Sequence, residues 1–326
     1  LSMSLVNAAR VYSSALQASG DTDQSLELEL TALAAERQLD QVVGLGAGPL
    51  QGKLTTVCHL SKASERAFGL GSDGIALVLA KDAINELQDI RRDLSAIPER
   101  LQGCFRDLVA DNYRWLADLL VRQNRLSEAE LVLSLLKDFE AFQFAGRDAD
   151  FTGDSFRQLP YSAAEQELKN ALDALQLPSV TDVRQREELL AKEQLQGLTQ
   201  AEAARLADIQ ARLQAAEAAY QSGLKRIIEA AANLKGNADP VAELAETESI
   251  QKTLLGKLKE KAVAIHYLVM PDRLNIILTT PTDRKSVTVR TWNGAPFTEA
   301  GLNEKLEEYH AVVSDPGYDP KKRSRQ

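Results

Sequence analysis

The sequence predicts a mainly α-helical chain that ends in a smaller α/β segment, and three observations support this. Apolar residues recur at steps of three and four through most of residues 1–145, as on the buried face of amphipathic helices. The same spacing is most regular between Thr199 and Lys235. After Pro240 it gives way to short runs rich in Ile, Val and Tyr, which are typical of strands. A chain of 326 residues has room for two or three domains.

Composition and charge limit the classes of function. The net charge of -9 argues against direct nucleic-acid binding, because phosphate contacts need clustered Lys and Arg. The two cysteines, Cys58 and Cys104, show no C-x-x-C spacing, which favours free thiols in a reducing cytoplasm over a disulfide scaffold. No apolar run approaches the roughly 20 residues of a membrane span. We therefore expect a cytoplasmic protein with no membrane partner.

The N-terminal helices are separated by glycine-containing breaks. Leu5, Tyr12 and Leu16 belong to a first apolar stripe, which ends at Gly20-Asp21 before a second helix begins. The stretch Gly44 to Gly52 is predicted to be a flexible loop between helices, and further helices follow from about Gly74 to Lys137.

One helix pair resembles a tetratricopeptide repeat (TPR). In the run from Tyr113 to Leu136, apolar and small residues occupy the packing positions of two helices, and Asn124 occupies the turn. Those packing positions are Tyr113, Leu116, Ala117, Leu120, Leu126, Ala129, Leu133 and Leu136. Repeats of this kind bury their apolar faces against neighbours, so at least three units are expected within residues 1–147.

Residues 148–239 are predicted to form a linker and a long helical arm. Asp148 to Pro160 is polar and contains Gly and Pro, as linkers do, and a helix is expected from Ser162 to Leu175. Thr199 and Glu202 make a capping box for a helix that extends to Lys235, stopped by Gly236. Paired with a shorter helix from Val183 to Gln196, it would form an antiparallel coiled-coil arm about 54 Å long.

Residues 240–326 have the pattern of an α/β domain. We predict a helix, three strands joined by turns, and a second helix. They are Glu248–Lys259, Ala262–Met270, Leu274–Thr280, Ser286–Arg290 and Thr298–Val313, with turns at Pro271-Asp272-Arg273 and Asp283-Arg284. Three strands and two helices do not cover both faces of a sheet, so this domain is expected to be incomplete.

This C-terminal segment resembles the opening hairpin of the CHAT domain, a caspase-like cysteine protease module often found behind TPR helices. The resemblance lies in the strand Tyr267-Leu268-Val269, the turn Pro271 to Leu274 and the strand end Thr280-Pro281. Glu304-Lys305, Asp315-Pro316 and Asp319-Pro320 extend it. It implies a TPR-like helical solenoid with a coiled-coil arm, followed by an incomplete α/β caspase-like domain.

The same resemblance implies a bacterial-type cysteine endopeptidase. In that family the catalytic His and Cys lie on later strands, the Cys usually in a Ser-Ala-Cys run. We expect them in the polypeptide beyond residue 326, so no catalytic residue is assigned here. The expected partners are that catalytic half and a substrate or activating protein on the TPR-like surface. No cofactor is expected. The alternative function is a non-catalytic helical scaffold or adaptor for protein–protein interaction.

Other motifs carry weaker chemical hypotheses. Cys58 and His59 are sequence neighbours, and such side chains point about 100° apart on a helix, which opposes a catalytic pair. His266 is expected to be a hydrogen-bonded sheet histidine and His310 a solvated one, and three scattered histidines suggest no metal site. A further alternative is a nucleotide sensor, because Gly44 to Thr55 superficially resembles a phosphate-binding loop with Lys53 as its lysine.

The basic tail Lys321 to Gln326 is expected to be a solvated loop, with proteolytic processing as the other interpretation.

Overall fold

The computed structural model describes residues 3–47, 49–92, 99–145, 157–234 and 262–314. These ranges are mainly helical, with a small antiparallel sheet region, as the sequence predicted. Within them the helices are α1 (Met3–Ser19), α2 (Thr22–Ala47), α3 (Pro49–Gly69), α4 (Asp73–Arg92), α5 (Glu99–Arg122), α6 (Leu126–Ala145), α7 (Ala163–Asp173), α8 (Val180–Gln196), α9 (Gln200–Leu234) and α10 (Glu299–Val313). The strands are β1 (Ala264–Met270), β2 (Arg273–Thr279), β3 (Arg284–Val289), β4 (Thr291–Trp292) and β5 (Ala295–Pro296).

The chain divides into two compact units that interleave along the sequence. Unit 1 comprises Leu1–Asn112 and Gly146–Val241, and unit 2 comprises Tyr113–Ala145 and Ala242–Gln326. This grouping differs from the predicted segments 1–147, 148–239 and 240–326, because the TPR-like residues after Tyr113 belong with the C-terminal sheet. The division into domains at 1–147, 148–239 and 240–326 stays a prediction.

In unit 1, helices α1 to α4 pack in chain order, each against the next. The turns after α1 and α3 have the same form. Gly20 and Gly71 have φ values of 88° and 75°, and the two amides at each turn bond back to the preceding helix, as in a Schellman motif. Apolar burial centres on α4, where Ile75, Ile84 and Leu87 are fully buried.

Helices α7, α8 and α9 complete unit 1. Helix α9 contacts α4, α7 and α8, and Ile209, Leu224 and Ile227 are among its buried residues. The α8–α9 pair is antiparallel, because Asp182 near the start of α8 binds Arg212 while Lys192 near its end binds Glu202. The predicted capping box is confirmed, since Thr199 and Glu202 bond reciprocally through backbone amides and side chains. Helix α8 itself buries no residue.

Unit 2 holds the end of α5, α6, the strands and α10. Asn124 lies at the predicted turn with φ 57°, and the Arg125 amide bonds to the Leu120 carbonyl, so the turn repeats the form seen after α1 and α3. All eight TPR-like packing residues are buried. The turn residues Gly20, Gly71 and Asn124 nevertheless lie 51 and 53 positions apart in the sequence. A TPR repeats every ~34 residues.

The strands β1, β2 and β3 form an antiparallel sheet in that order. Met270 pairs with Arg273 around the turn Pro271-Asp272, so Arg273 belongs to β2 and not to the turn as predicted. A second hairpin, β4–β5, was missed by the sequence reasoning. Asn293 and Gly294 have φ values of 53° and 82° there, and Asn-Gly is a strong signal for such a turn.

The glycine-rich stretch was predicted to be a loop, and that prediction was wrong. Helix α2 continues to Ala47 and α3 begins at Pro49, so Gly44, Gly46 and Gly52 are helical. Gly costs about 1 kcal/mol in a helix relative to Ala. Packing of α2 against both α1 and α3 offsets that cost, and the fixed φ of Pro49 suits a first helical position.

Several predicted features lie outside the described residues. They are the linker 148–156, the stop at Gly236, the helix 248–259, the motifs at 315–316 and 319–320, and the tail 321–326. None of the described helices is long and apolar enough to cross a membrane.

Candidate functional site

The inner face of the three-stranded sheet carries a buried ionic network centred on Asp118 of α5. Arg273 of β2 donates to both carboxylate oxygens, at 3.0 and 2.5 Å, and Asn275 donates to Oδ1 at 2.8 Å. Arg122 adds a bond of 2.7 Å from one turn further along α5. Burial raises the pKa of Asp118, but the hydrogen bonds from Arg273 and Arg122 outweigh burial and lower it overall. The carboxylate is therefore charged, and its hydrogen bonds with Arg273 and Asn275 fix β2 to α5.

A second network on the same face centres on Glu130 of α6. Arg284 of β3 donates to one carboxylate oxygen at 2.8 Å, and the Thr279 hydroxyl donates to the other. His266 of β1 lies beside it, with Nε2 3.8 Å from Oε1. Burial raises the pKa of Glu130 despite the pairing with Arg284. Two carboxylates, one on each helix, thus bind side chains of β2 and β3.

The opposite face of this sheet, here called the open face, is apolar and uncovered by the described residues. The residues on this face are Ile265, Tyr267 and Val269 of β1, Leu274, Ile276 and Leu278 of β2, and Lys285, Val287 and Val289 of β3. Ile265, Tyr267 and Val287 are 46%, 61% and 59% exposed, whereas Ile277 on the inner face is fully buried. Strand spacing gives this face an area on the order of 300 Å². Apolar patches of that size often mark interaction sites.

Unit 1 contains a polar cleft of about 590 Å³, here called the cleft. Its walls come from α2, α3, α4, α7 and the segment 157–161, with Leu60 among the lining residues. The segment is anchored by a buried ion pair, in which Lys81 binds Glu165 at 2.9 Å and also donates to the Pro160 carbonyl at 3.0 Å. The cleft is therefore bounded by elements that are fixed in place.

The charged groups at the centre of the cleft are bonded to one another. The Tyr161 hydroxyl donates to Asp82 at 2.5 Å, and Lys169 lies 3.2 Å from the same carboxylate. Arg37 pairs with Asp173 at 3.1 Å and lies 3.7 Å from Asp82. Burial raises the pKa of Asp82. Burial lowers the pKa of Lys169, but Asp82 and Asp173 outweigh burial and raise it overall.

Two further carboxylates line the cleft from α4, Glu86 and Asp89. Gln158 donates to Asp89 at 3.0 Å. Glu86 makes no hydrogen bond or ion pair within the described part of the chain. Burial raises its pKa, the nearby Asp89 raises it further, and Lys53 only partly counters this. Glu86 is thus a half-buried carboxylate whose charged form burial and Asp89 disfavour, while Lys53 and Lys169 act in the opposite direction.

The adjacent Cys58 and His59 do not form a nucleophile site. Both lie on α3, where Cys58 is a half-buried free thiol. The His59 ring faces the buried Glu36 of α2, with Nε2 3.6 Å from Oε1. The side chain of Cys104 lies outside the described residues.

The other histidines differ in their surroundings. His266 lies on the inner face, and its Nδ1 is buried with no hydrogen-bond partner among the described residues, so it is less satisfied than predicted. Burial and Lys137 lower its pKa. His310 is exposed on α10, as predicted. Within the described ranges no group of three His, Cys, Asp or Glu residues could hold a metal ion.

The phosphate-loop interpretation has no structural basis in the described residues. Lys53 lies inside α3, four residues after Pro49, and the glycines on either side of position 48 are helical. In a phosphate-binding loop the glycines follow a strand and precede a helix, whereas here Gly44 and Gly46 belong to helix α2.

Sequence reasoning missed the two ionic networks and the cleft. Arg273 and Asn275 alternate with apolar residues along β2, which places polar side chains on the same face as Ile277. That alternation was a usable signal for buried polar partners. The cleft had none, because it joins residues as distant in the sequence as Arg37 and Asp173.

Comparisons with protein families, with curated proteins and with solved structures find no match to this chain.

Proposed function

We propose that this chain is the regulatory and partner-binding N-terminal part of a caspase-like cysteine protease of the CHAT family. In this proposal the catalytic His and Cys belong to the polypeptide beyond residue 326, and peptide-bond hydrolysis proceeds through a thioester on that Cys. The TPR-like helices within residues 1–147 serve as the surface for a substrate or activating protein. The TPR-like and caspase-like assignments rest on the sequence resemblance.

The observation that carries the proposal is the open face of the sheet in unit 2. An α/β domain covers both faces of its sheet, whereas here only the inner face is covered by described helices. The exposed Ile265, Tyr267 and Val287 are the residues that a completing catalytic half would bury. Strands β1 and β3 are the edges of the described sheet, and either could accept a further strand.

Reconstitution with the downstream polypeptide tests the proposal. We expect stable association and peptidase activity only in the mixture, with activity lost when the downstream Cys is changed to Ala. Val287→Glu places a charge in the middle of the open face and should abolish association. Leu195→Glu, at an apolar residue of α8 that is 85% exposed, is the matched control and should leave association intact. Association that survives Val287→Glu would contradict a role for the open face.

A helical scaffold or adaptor remains the second candidate, and the cleft favours it. A concave polar site on packed helix hairpins suits protein recognition and needs no catalytic partner. Stable association without turnover, across a broad peptide library and with candidate activating proteins present, would support the scaffold and overturn the protease.

A further inference from the structure

The outer edge of β1 in unit 2 presents backbone groups that the described fold does not use. The turn that joins β1 to β2 makes Met270 and Arg273 a hydrogen-bonded pair. Because such pairs alternate along an antiparallel ladder, Ile265, Tyr267 and Val269 direct their N–H and C=O groups away from β2. None of these three residues makes another backbone hydrogen bond within the described part of the chain.

The outer edge of β3, on the other side of the sheet, follows the same alternation. At the turn between β2 and β3 the Thr280 amide bonds to the Asp283 carbonyl. The outward backbone groups of β3 therefore belong to Arg284, Ser286 and Thr288. Both turns give the same alternation on β2, so the two edges are assigned consistently.

The edge of β3 is closed at both ends. The Arg284 amide donates to the Asp283 side chain at 2.9 Å, and the Phe297 amide donates to the Arg290 carbonyl, just past the end of the strand, at 2.8 Å. Lys285 adds a further charge. Charged side chains and short length protect an edge strand from pairing with other chains. Of the two edges, β3 is thus the protected one.

The side chains of β1 give its edge no such protection. From Val263 to Met270 the sequence holds no Lys, Arg, Asp, Glu or Pro. Val263, Ile265 and Tyr267 are apolar or aromatic and nevertheless exposed. An edge strand that stays in solvent usually carries charges or Pro, whereas β1 has the composition of a strand from the interior of a sheet. This edge is therefore suited to the addition of a strand.

A strand added beside β1 would have different surroundings on its two faces. On one face it continues the open face next to Ile265 and Tyr267, which favours apolar side chains. On the other it lies next to His266, which has Glu130 3.8 Å away and Lys137 nearby, and this favours polar side chains. The strand that fits alternates apolar and polar residues, as strands with one buried face do.

We propose that the polypeptide beyond residue 326 extends the sheet at β1, through an alternating strand that bonds to the backbone of Ile265, Tyr267 and Val269. The inference rests on the proposed function for the identity of the partner, and it assigns the edge and the bonding pattern. The same three residues supply unused backbone groups and side chains of the open face. One partner that adds a strand and then covers the face would satisfy both.

Amide hydrogen exchange of the full chain, alone and with the downstream polypeptide, tests this inference. Mass spectrometry with electron-transfer fragmentation resolves single amides. In the chain alone, the amides of Ile265, Tyr267 and Val269 should exchange rapidly, because water is their partner. In the complex their exchange should slow by about tenfold or more, while Ser286 and Thr288 stay unchanged. Protection of β3 without β1, or of neither edge in a stable complex, would overturn the proposal.

Proline variants test the same edge by affinity. Tyr267→Pro removes the central outward amide and leaves the β1–β2 ladder intact, since proline is tolerated where an edge N–H faces solvent. Tyr267→Ala removes the same side chain but keeps the amide. The proline variant should bind the downstream polypeptide about tenfold more weakly than the alanine variant. Equal affinities of the two would contradict strand addition at β1.

Ser286→Pro is the matched control, because it removes an outward amide from the edge of β3 and should leave association unchanged. Thermal unfolding followed by circular dichroism verifies that the variants fold. If Tyr267→Pro does not fold, the exchange measurement decides, since it uses the unaltered chain.

The outcomes separate this inference from the protease assignment. Association with protection of β1 but without turnover would count against the protease and leave the edge assignment standing. Association and turnover without protection of β1 would count against the edge alone. Protection of β1 that rises with the concentration of the chain alone would identify a second copy as the occupant. That result, or no association with the downstream polypeptide, would overturn the proposal.

Discussion

At the scale of single residues, a buried carboxylate, Asp118, and a half-buried one, Glu86, have opposite surroundings. Asp118 accepts bonds from three side chains, which keep it ionised inside unit 2. Glu86 accepts none within the described residues, and burial raises its pKa. A buried charge with full pairing fixes structure, whereas a half-buried charge that accepts no hydrogen bond from the described residues costs stability.

The first prediction concerns Asp118. Asp118→Asn leaves the buried Arg273 without its main counter-ion, so unit 2 should lose about 3 kcal/mol of unfolding free energy. Asp272→Asn removes the exposed partner of the same Arg273 and should cost less than about 0.5 kcal/mol. Urea unfolding followed by tryptophan fluorescence measures both, since Trp115 and Trp292 both belong to unit 2. Equal losses would contradict the network.

The pH dependence of Asp118 follows from its lowered pKa, in which pairing with Arg273 and Arg122 outweighs burial. Its stabilising contribution is present above the unfolded pKa of about 3.9 and is lost as the pH falls through the folded pKa. The difference in stability between the unaltered chain and Asp118→Asn should therefore shrink below about pH 4.

The second prediction concerns Glu86 and has the opposite sign. Because its folded pKa is raised, Glu86 disfavours the folded state once the pH rises above its unfolded pKa, and this penalty is complete above the folded pKa. Glu86→Gln should stabilise unit 1 at neutral pH by roughly 0.5 kcal/mol, allowing for solvent screening. Chemical unfolding followed by circular dichroism at pH 7 and pH 4 measures this. A destabilised Glu86→Gln at pH 7 would show that the carboxylate has a structural partner.

At the scale of elements, three helix turns share one form, and their central residues are Gly20, Gly71 and Asn124. Each takes a positive φ, which lets its own amide and the amide of the next residue bond back to carbonyls that the helix leaves unpaired. Gly takes this conformation at no steric cost, and Asn is the residue that tolerates it next best. The turns therefore set where each helix ends and the next begins.

The third prediction separates turn geometry from glycine content. Gly71→Ala should destabilise unit 1 by about 1 kcal/mol, because a Cβ is strained at φ 75° although no atom lies within 4 Å of it. Gly69→Ala, two residues earlier, is helical and meets only Gln17 Nε2 at 3.8 Å, so it should be neutral or stabilising by a few tenths of a kcal/mol. Thermal unfolding by circular dichroism compares the two, and similar effects would contradict the assignment of strain to Gly71.

At the scale of the whole molecule, the two units present different surfaces. Unit 1 offers a polar cleft on packed helices, and unit 2 offers the apolar open face of a sheet held to α5 and α6 by Asp118 and Glu130. An apolar face favours permanent burial. This surface matches the docking role that the proposed function gives to the chain.

The fourth prediction follows from mass action. A polypeptide that binds only folded unit 2 stabilises it by about 2.7 kcal/mol when present at 100 times its dissociation constant. Adding the downstream polypeptide should therefore raise the midpoint of unfolding followed by tryptophan fluorescence. The same addition should leave Val287→Glu unchanged, and a rise in that variant equal to that of the unaltered chain would contradict docking on the open face.

Much of the local structure could be predicted from the sequence because its causes are local. Three such features depend on residues within a few positions of one another. They are the turn at Asn124, the capping box of Thr199 and Glu202, and the strands around Pro271. The β4–β5 hairpin was equally local, and its Asn293-Gly294 signal was overlooked. The predicted loop at Gly44 to Gly52 failed for the converse reason, because packing of α2 and α3 overrode a weak local preference.

What the sequence by itself determined is most of the described helices and strands, their apolar faces, and the resemblance on which the protease hypothesis rests. Only the tertiary structure decided that the TPR-like residues belong with the C-terminal sheet, that Asp118 and Glu130 fasten that sheet, and that Glu86 faces a cleft. The physical reason is distance along the chain. Arg273 binds Asp118, which is 155 positions away in the sequence. Hydrogen bonds, pKa shifts and cavities arise from contacts between such distant residues, and no local pattern of residues encodes them.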